Sequence, residues 1–417
     1  MMKYKLYTRV LDGGQAVARV IIDCEKDINA QHLSNDLFEI NVTRRYQGKV
    51  VDTSRRLVTS VFAAKELAGS PQQEGRFIHV VLLTGKDTKG AATLMNDKET
   101  MKTVKLDLEY SIHLKKDLIF TDGEVIHHPC EMTFDGYIHH HVDVFEKYES
   151  SKGILYREYS PRFDGNKKPL IIWLHGMGEG GKDNELPIIA NRGGTAFVLK
   201  ENQRIFGGAY IVAPQCPTFW MPIDYLGETY HDNYTKALLS LIDEVCLFHP
   251  DIDEDRIYIG GCSMGGYQTI KTVLAAPHRF AAAFPICAAY ELSMKDAWKI
   301  KDVPMWFVHC MSDNVVPSSN SVKNYERLIR AGGQAEVTLY PDIRSHGEAY
   351  FAHAAWIPAL NNDPVSRDGI HLFEWLAEKT RKKNSLAQKK GWLVPTVATT
   401  SMVAATLYYY YRKSKQR

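Results

Sequence analysis

Between Val104 and Leu114 apolar and polar residues alternate without a break. Val104, Leu106, Leu108, Tyr110, Ile112 and Leu114 fall on one phase, and Lys105, Asp107, Glu109, Ser111 and His113 on the other. A period of two sends the two sets to opposite faces of an extended chain, so this segment is expected to be one strand with a dry face and a wet face. QAVARVIIDC, LFEINVTRR, RRLVTSVFAA and RFIHVVLLTG have the same character, with turn-rich stretches such as AGSPQQEG and LDGG between them. Short strands punctuated in this way predict a β-sandwich over residues 1–144.

After about Tyr148 the pattern changes. PLIIWLHG, GGAYIVAPQ, RIYIGG, FAAAFPICA, PMWFVHCMSD and AEVTLYPD are short, nearly continuous apolar runs. Strands buried on both faces need such runs. Helical spacing separates them at residues 233–249, 264–275, 321–331 and 369–380. Strand and helix in alternation predict an α/β domain over residues 145–388, with a mostly parallel, doubly wound sheet. Ligands of such sheets lie beyond the carboxyl ends of the strands, so functional residues are expected just after the apolar runs. The catalytic apparatus is therefore expected to be complete within about Phe145 to Lys382, with the N-terminal domain accessory. No internal repeat of fixed period is present.

An apolar fraction of 45% with 24% charged residues is ordinary for a water-soluble globular chain. The net charge of +2 lacks the concentrated basic face that a nucleic-acid partner demands. From Lys389 onward there are six Lys/Arg and no Asp/Glu, which leaves a mildly acidic body and a basic tail, 389–417. The seven cysteines are scattered with no CxxC pair and read as reduced thiols. The N-terminus MMKYKLYTRVLDGGQ has no apolar h-region, so a cytoplasmic body is expected.

Gly261-Cys262-Ser263-Met264-Gly265 matches G-x-S-x-G between a predicted strand and a predicted helix. That context is a nucleophile elbow: the turn is too sharp for side chains at Gly261 and Gly265, and Ser263 is forced into a strained conformation that exposes its Oγ. The helix behind it favours developing negative charge. A serine nucleophile needs a base, and the base needs an orienting acid. Asp313 in MWFVHCMSDNVVP follows an apolar run and is the candidate acid. Beyond the last strand, expected to end near Asp342, lie two candidate bases, His346 and His353. The Gly-rich turn in LIIWLHGMGEGG leaves backbone N–H groups free for an oxyanion, with Met177 first and Gly178 second, partnered by the N–H of Met264.

HGMGEGG, APQCPTFW, DEDRIYIGGCSMGGYQT, VHCMSDNVVP and HAAWIPAL together resemble the α/β-hydrolase esterases related to polyhydroxybutyrate-depolymerase and feruloyl-esterase-like proteins. Some bacterial members carry an N-terminal immunoglobulin-like domain, which the all-β first third resembles in architecture; the Cys–Trp–Cys signature of antibody domains is absent. The resemblance implies a serine hydrolase acting on a carboxylic ester, with a Ser263–Asp313–His353 triad and an acyl-enzyme. In that family a His-x-x-Trp segment supplies the base, and His353-Ala354-Ala355-Trp356 fits it, although many relatives have a polar residue where Ala354 stands. Trp220 resembles a pocket-lining aromatic of the family, and as a residue it fits a core position equally well. Trp356 is a second candidate pocket aromatic.

The fold alone leaves the acyl donor open, so peptidase or acyl-transferase chemistry on the same triad, or a non-catalytic scaffold binding a glycan or a partner, are the alternatives. The expected partner is a small-molecule or glycan-linked ester, with no nucleic acid. His139, His140 and His141 are adjacent on a strand and cannot all converge, so no metal site is expected. GMGEGG lacks G-K-[ST], no GxGxxG precedes a ribose-binding acid, and no cofactor is implied. Gly391 to Arg412 carries no charge before Arg412 and has the length of a bilayer span, flanked by basic residues. It is expected either to anchor the protein in a membrane or to remain a loose or peripheral tail.

Overall fold

The structure, a computed structural model, describes residues 2–381 apart from residue 232. The basic tail and its candidate membrane segment lie outside the described residues. Among the described residues no helix is long and apolar enough to cross a membrane.

The N-terminal alternation folds into two facing sheets. One holds five strands in the order Met132–His139, Met2–Leu11, Gly14–Asn29, Glu74–Leu82 and Val58–Ala64. The other holds Lys49–Arg56, Phe38–Tyr46 and Asp107–Leu114. Inward residues of both, among them Val20, Ile22, Ile40, Ile78, Val80 and Ile112, make one core. Tyr110, Ile112 and Leu114 are buried while Ser111 and His113 are exposed, as the period of two requires.

The single strand expected over Val104–Leu114 is divided. Lys102–Lys105 pairs with Leu94–Asp97 in a separate hairpin, and the chain changes sheets at Leu106, whose N–H donates to Thr93 O at 2.9 Å. The side-chain alternation runs through the break because extended backbone continues on both sides of it. What changes is the pairing partner.

The remaining chain forms an eight-stranded sheet. Its strands are β1 (Glu146–Glu149), β2 (Leu155–Tyr159), β3 (Lys168–Leu174), β4 (Tyr210–Gln215), β5 (Ile252–Cys262), β6 (Ala282–Ile286), β7 (Met305–Cys310) and β8 (Ala335–Tyr340). They lie in the order β1-β2-β4-β3-β5-β6-β7-β8, antiparallel across β1, β2 and β4 and parallel thereafter. On β3, Ile171 and Trp173 belong to the core on one face, and Leu170, Ile172 and Leu174 to the core on the other. Two dry faces explain the unbroken apolar run. Helices α1 (Thr235–Phe248), α2 (Met264–Ala275), α3 (Met294–Ile300), α4 (Ser319–Arg330) and α5 (Leu372–Ala377) connect or flank the strands. The last described residue, Arg381, donates its N–H to Asp255 O near the amino end of β5, the end away from Ser263.

Candidate active site

Strand β5 turns into α2 through Ser263, which has φ 57° and ψ −116°. For a non-glycine residue that is a strained conformation. The two glycines of the motif make it possible. A Cβ on Gly261 would lie 2.4 Å from Leu174 O, and one on Gly265 would lie 2.1 Å from the same oxygen. Strand β3 therefore passes so close that no other residue fits at either position. The turn is held by the Ser263 N–H donating to Ile286 O at 2.9 Å. Met264 opens α2, so its N–H is one of the helix's free N-terminal donors.

Asp313 follows β7, and its side chain is fully buried. Its Oδ1 accepts the N–H groups of Val315 (2.8 Å) and Val316 (3.0 Å). Its Oδ2 accepts two imidazoles, His353 Nδ1 at 2.7 Å and His309 Nε2 at 3.1 Å. Burial by itself pushes the pKa of this carboxyl up, yet hydrogen bonds from His309, His353, Val316 and Val315 together hold it well below the ordinary carboxylate range.

His353 lies beyond β8, which ends at Tyr340, two residues before Asp342. Its ring is almost buried, Trp356 meets it edge to face at 5.7 Å, and its Nε2 is buried without a hydrogen-bond partner. The loop travels out through the short strands Arg344–Ser345 and Glu348–Ala349 before returning. His346 sits at the turn between these strands with φ 50°, exposed. Of the two candidate bases, His353 is the one brought to Asp313.

Met177 begins a short 3₁₀ turn, Met177–Glu179, directly after β3. His175 braces this turn, donating from Nδ1 to Gly176 O (2.7 Å) and accepting the Cys216 N–H at Nε2 (2.9 Å). Burial lowers the His175 pKa to about 4. Trp220 packs against His175 at 5.2 Å and is fully buried. It is therefore a core tryptophan beside the Met177–Glu179 turn, with no face open to a ligand. Trp356 is half-buried and lines a 950 Å³ cavity between the two domains, together with Phe351, Arg9 and Asp12. His346 also borders this cavity. Ser263 does not.

Three features of the site were not anticipated from the sequence. The first is His309, which lies inside the apolar run of β7 and is distinguished only by its contacts. The second is Glu179, the last residue of the 3₁₀ turn that Met177 begins. Its Oε2 is buried without a partner and lies 3.9 Å from His175 Nδ1, and burial raises its pKa to about 7. The third is the hairpin Leu94–Lys105. Lys102 Nζ donates to Gly180 O at 3.1 Å, and a Cβ on Gly178 would lie 2.9 Å from Thr103 Oγ1. Tyr225 OH also donates to Thr100 O. The hairpin of the N-terminal domain thus touches the Met177–Glu179 turn and the glycine that follows it.

His139 is held by Thr8 Oγ1 at 2.8 Å, and the rings of His140 and His141 are 3.7 Å apart. Among the described residues no group of three or more His, Cys, Asp or Glu is disposed to hold a metal ion.

Residues 3–127 match the family model described as an esterase Ig-like N-terminal domain, and residues 163–350 match the phospholipase/carboxylesterase model. No curated protein sequence matches the chain. A solved structure described as a thermostable esterase is 28% identical, with a TM-score of 0.77, covering 91% of this chain and 100% of that one. The fluorophosphonate-binding serine hydrolase FphF of Staphylococcus aureus is 16% identical over 56% of this chain and 97% of that one, with a TM-score of 0.38. The acylaminoacyl peptidase of Pyrococcus horikoshii is 19% identical over 47% and 36% respectively, with a TM-score of 0.33.

Proposed function

We infer that this chain, a serine esterase of the α/β-hydrolase superfamily with an esterase-type immunoglobulin-like domain at its N-terminus, cleaves carboxylic esters through Ser263, His353 and Asp313. The observation that carries the reading is the pairing of Asp313 Oδ2 with His353 Nδ1, which leaves a buried, unpartnered Nε2 on the same imidazole. With Nδ1 donating to the carboxylate, the neutral ring keeps the Nε2 lone pair for a proton. Ser263 Oγ is the proton's source, raised by the strained turn at the carboxyl end of β5.

Ser263 Oγ attacks the acyl carbon as His353 Nε2 takes its proton. The ionised Asp313 stabilises the imidazolium so formed. Negative charge develops on the carbonyl oxygen and is met by the N–H groups of Met177 and Met264, whose directions the 3₁₀ turn and the start of α2 set in advance. His353 returns the proton to the leaving alcohol, giving an acyl-enzyme. Water, deprotonated by the same nitrogen, then releases the acid. The substrate is a carboxylic ester of a small molecule or a glycan.

A fluorophosphonate should label Ser263 alone. Ser263→Ala and His353→Ala should each lower turnover of p-nitrophenyl esters by roughly 10⁴- to 10⁶-fold, with the double variant hardly worse, because the two act as one proton-transfer unit. His346→Ala should stay within a few-fold of the parent. Full turnover in Ser263→Ala, or loss of acylation on His346→Ala alone, would refute the assignment.

A further inference from the structure

His309 is a fully buried imidazole on β7, four residues before Asp313, and both of its nitrogens are engaged. Nδ1 lies 2.8 Å from Ser321 Oγ in the first turn of α4. Nε2 lies 3.1 Å from Asp313 Oδ2 and 3.1 Å from Val316 O. A carboxylate and a carbonyl can only accept, so Nε2 carries the hydrogen, and in the neutral ring Nδ1 then accepts from the Ser321 hydroxyl. One ring thus ties together the end of β7, the 313–316 loop and α4.

The oxygen that His309 contacts is the one His353 uses. Oδ1 is occupied by two backbone amides, so the whole carboxylate is encircled by four donors. Two consequences follow from electrostatics. The fixed donor on β7 sets the rotation of the carboxyl about its Cβ–Cγ bond and so aims Oδ2 at His353. It also shares the negative charge of Oδ2, so less of that charge acts on the His353 imidazolium than an unshared carboxylate would supply.

We propose that His309 is a positioning residue for Asp313, which orients the carboxylate toward His353 and tempers its charge, and so sets the pH at which His353 becomes available as a base. This rests on the Ser263–His353–Asp313 reading, through which it acts without touching substrate.

His309→Asn and His309→Gln test it on the full-length chain. The shorter amide reaches the neighbourhood of Nδ1 and Ser321 but falls short of Asp313. The longer one reaches the position of Nε2. His309→Asn should lower kcat on a p-nitrophenyl ester about 10- to 100-fold with KM within twofold, the effect of losing one hydrogen bond to a charged group. The acidic limb of its kcat/KM profile should move to higher pH, because the imidazolium then faces an unshared carboxylate. His309→Gln should recover most of kcat and return the limb to its original position. A merely structural histidine would leave the limb unmoved in both variants, and that result overturns the proposal.

Ser263→Ala is measured in parallel. If it keeps its turnover, the triad reading itself has failed. If it is inactive while His309→Asn behaves as the parent, only the present inference has. Should His309→Asn not fold by circular dichroism, ¹⁵N-histidine spectra of the parent protein decide. A protonated Nε2 on His309, identified by the signal missing in His309→Gln, supports the inference, and an unprotonated one overturns it.

Discussion

Replacing Glu179 by glutamine should change how stability depends on pH. The Glu179 side chain is only 13% exposed and its Oε2 has no partner. The nearest imidazole, His175, is lowered by burial to about 4 and so is neutral above that pH. Lys102, on the N-terminal hairpin, is the cation that acts on it. Burial dominates, and the carboxyl titrates at about 7 instead of its ordinary 4.5. Between those values the native protein keeps a proton that the unfolded chain gives up. The native state then binds more protons, so stability falls as pH rises through this window, and is level below it and above it. At 1.36 kcal/mol for each pH unit the fall amounts to about 3 kcal/mol. In a domain of this size that is roughly 6–12 °C in Tm.

Glutamine has the shape of the protonated carboxyl and does not titrate. The Tm difference, variant minus parent, should therefore grow by most of that amount between pH 5 and pH 8, whatever its value at pH 5. Melting followed by circular dichroism in buffers of equal ionic strength reads it, with urea midpoints as a check if heating proves irreversible. A difference that stays flat across this range would mean that Glu179 ionises at its ordinary value, and the argument from burial would be wrong.

Lys102→Met removes the hairpin's hydrogen bond to Gly180 O and should lower kcat about 3- to 30-fold at nearly constant KM, the cost of one charge-assisted bond held through the oxyanion turn; unchanged kcat would show that the turn needs no support from the N-terminal domain. A chain ending at Arg381 should match the full-length protein per mole on soluble esters, since Arg381 lies at the amino end of β5, away from Ser263; a large loss of kcat would place the tail in the catalytic cycle.

The parts legible in the sequence are those governed by local geometry. Alternation at Tyr110 to Leu114 is a consequence of the extended chain and survives whatever it packs against. Gly261 and Gly265 announce the elbow because the motif is written in five consecutive positions, although the atom that excludes a side chain at both, Leu174 O, belongs to β3. The two-faced burial of β3 is legible for the same reason, since a run with no polar phase has no wet side. Beyond the Asp313–His353 pair, residues whose role depends on a partner remote in the chain were not legible. The alternation gave no sign that Lys102–Lys105 leaves the sandwich, because side-chain phase does not record which strand is the neighbour. Trp220 reads the same whether it lines a pocket or fills a core, and the packing of His175 against it makes it core. His309 and Glu179 carry side chains whose charge and tautomer depend on burial and on what faces them. Those surroundings exist only once β7 meets α4 and the turn after β3 closes against a hairpin from the other domain.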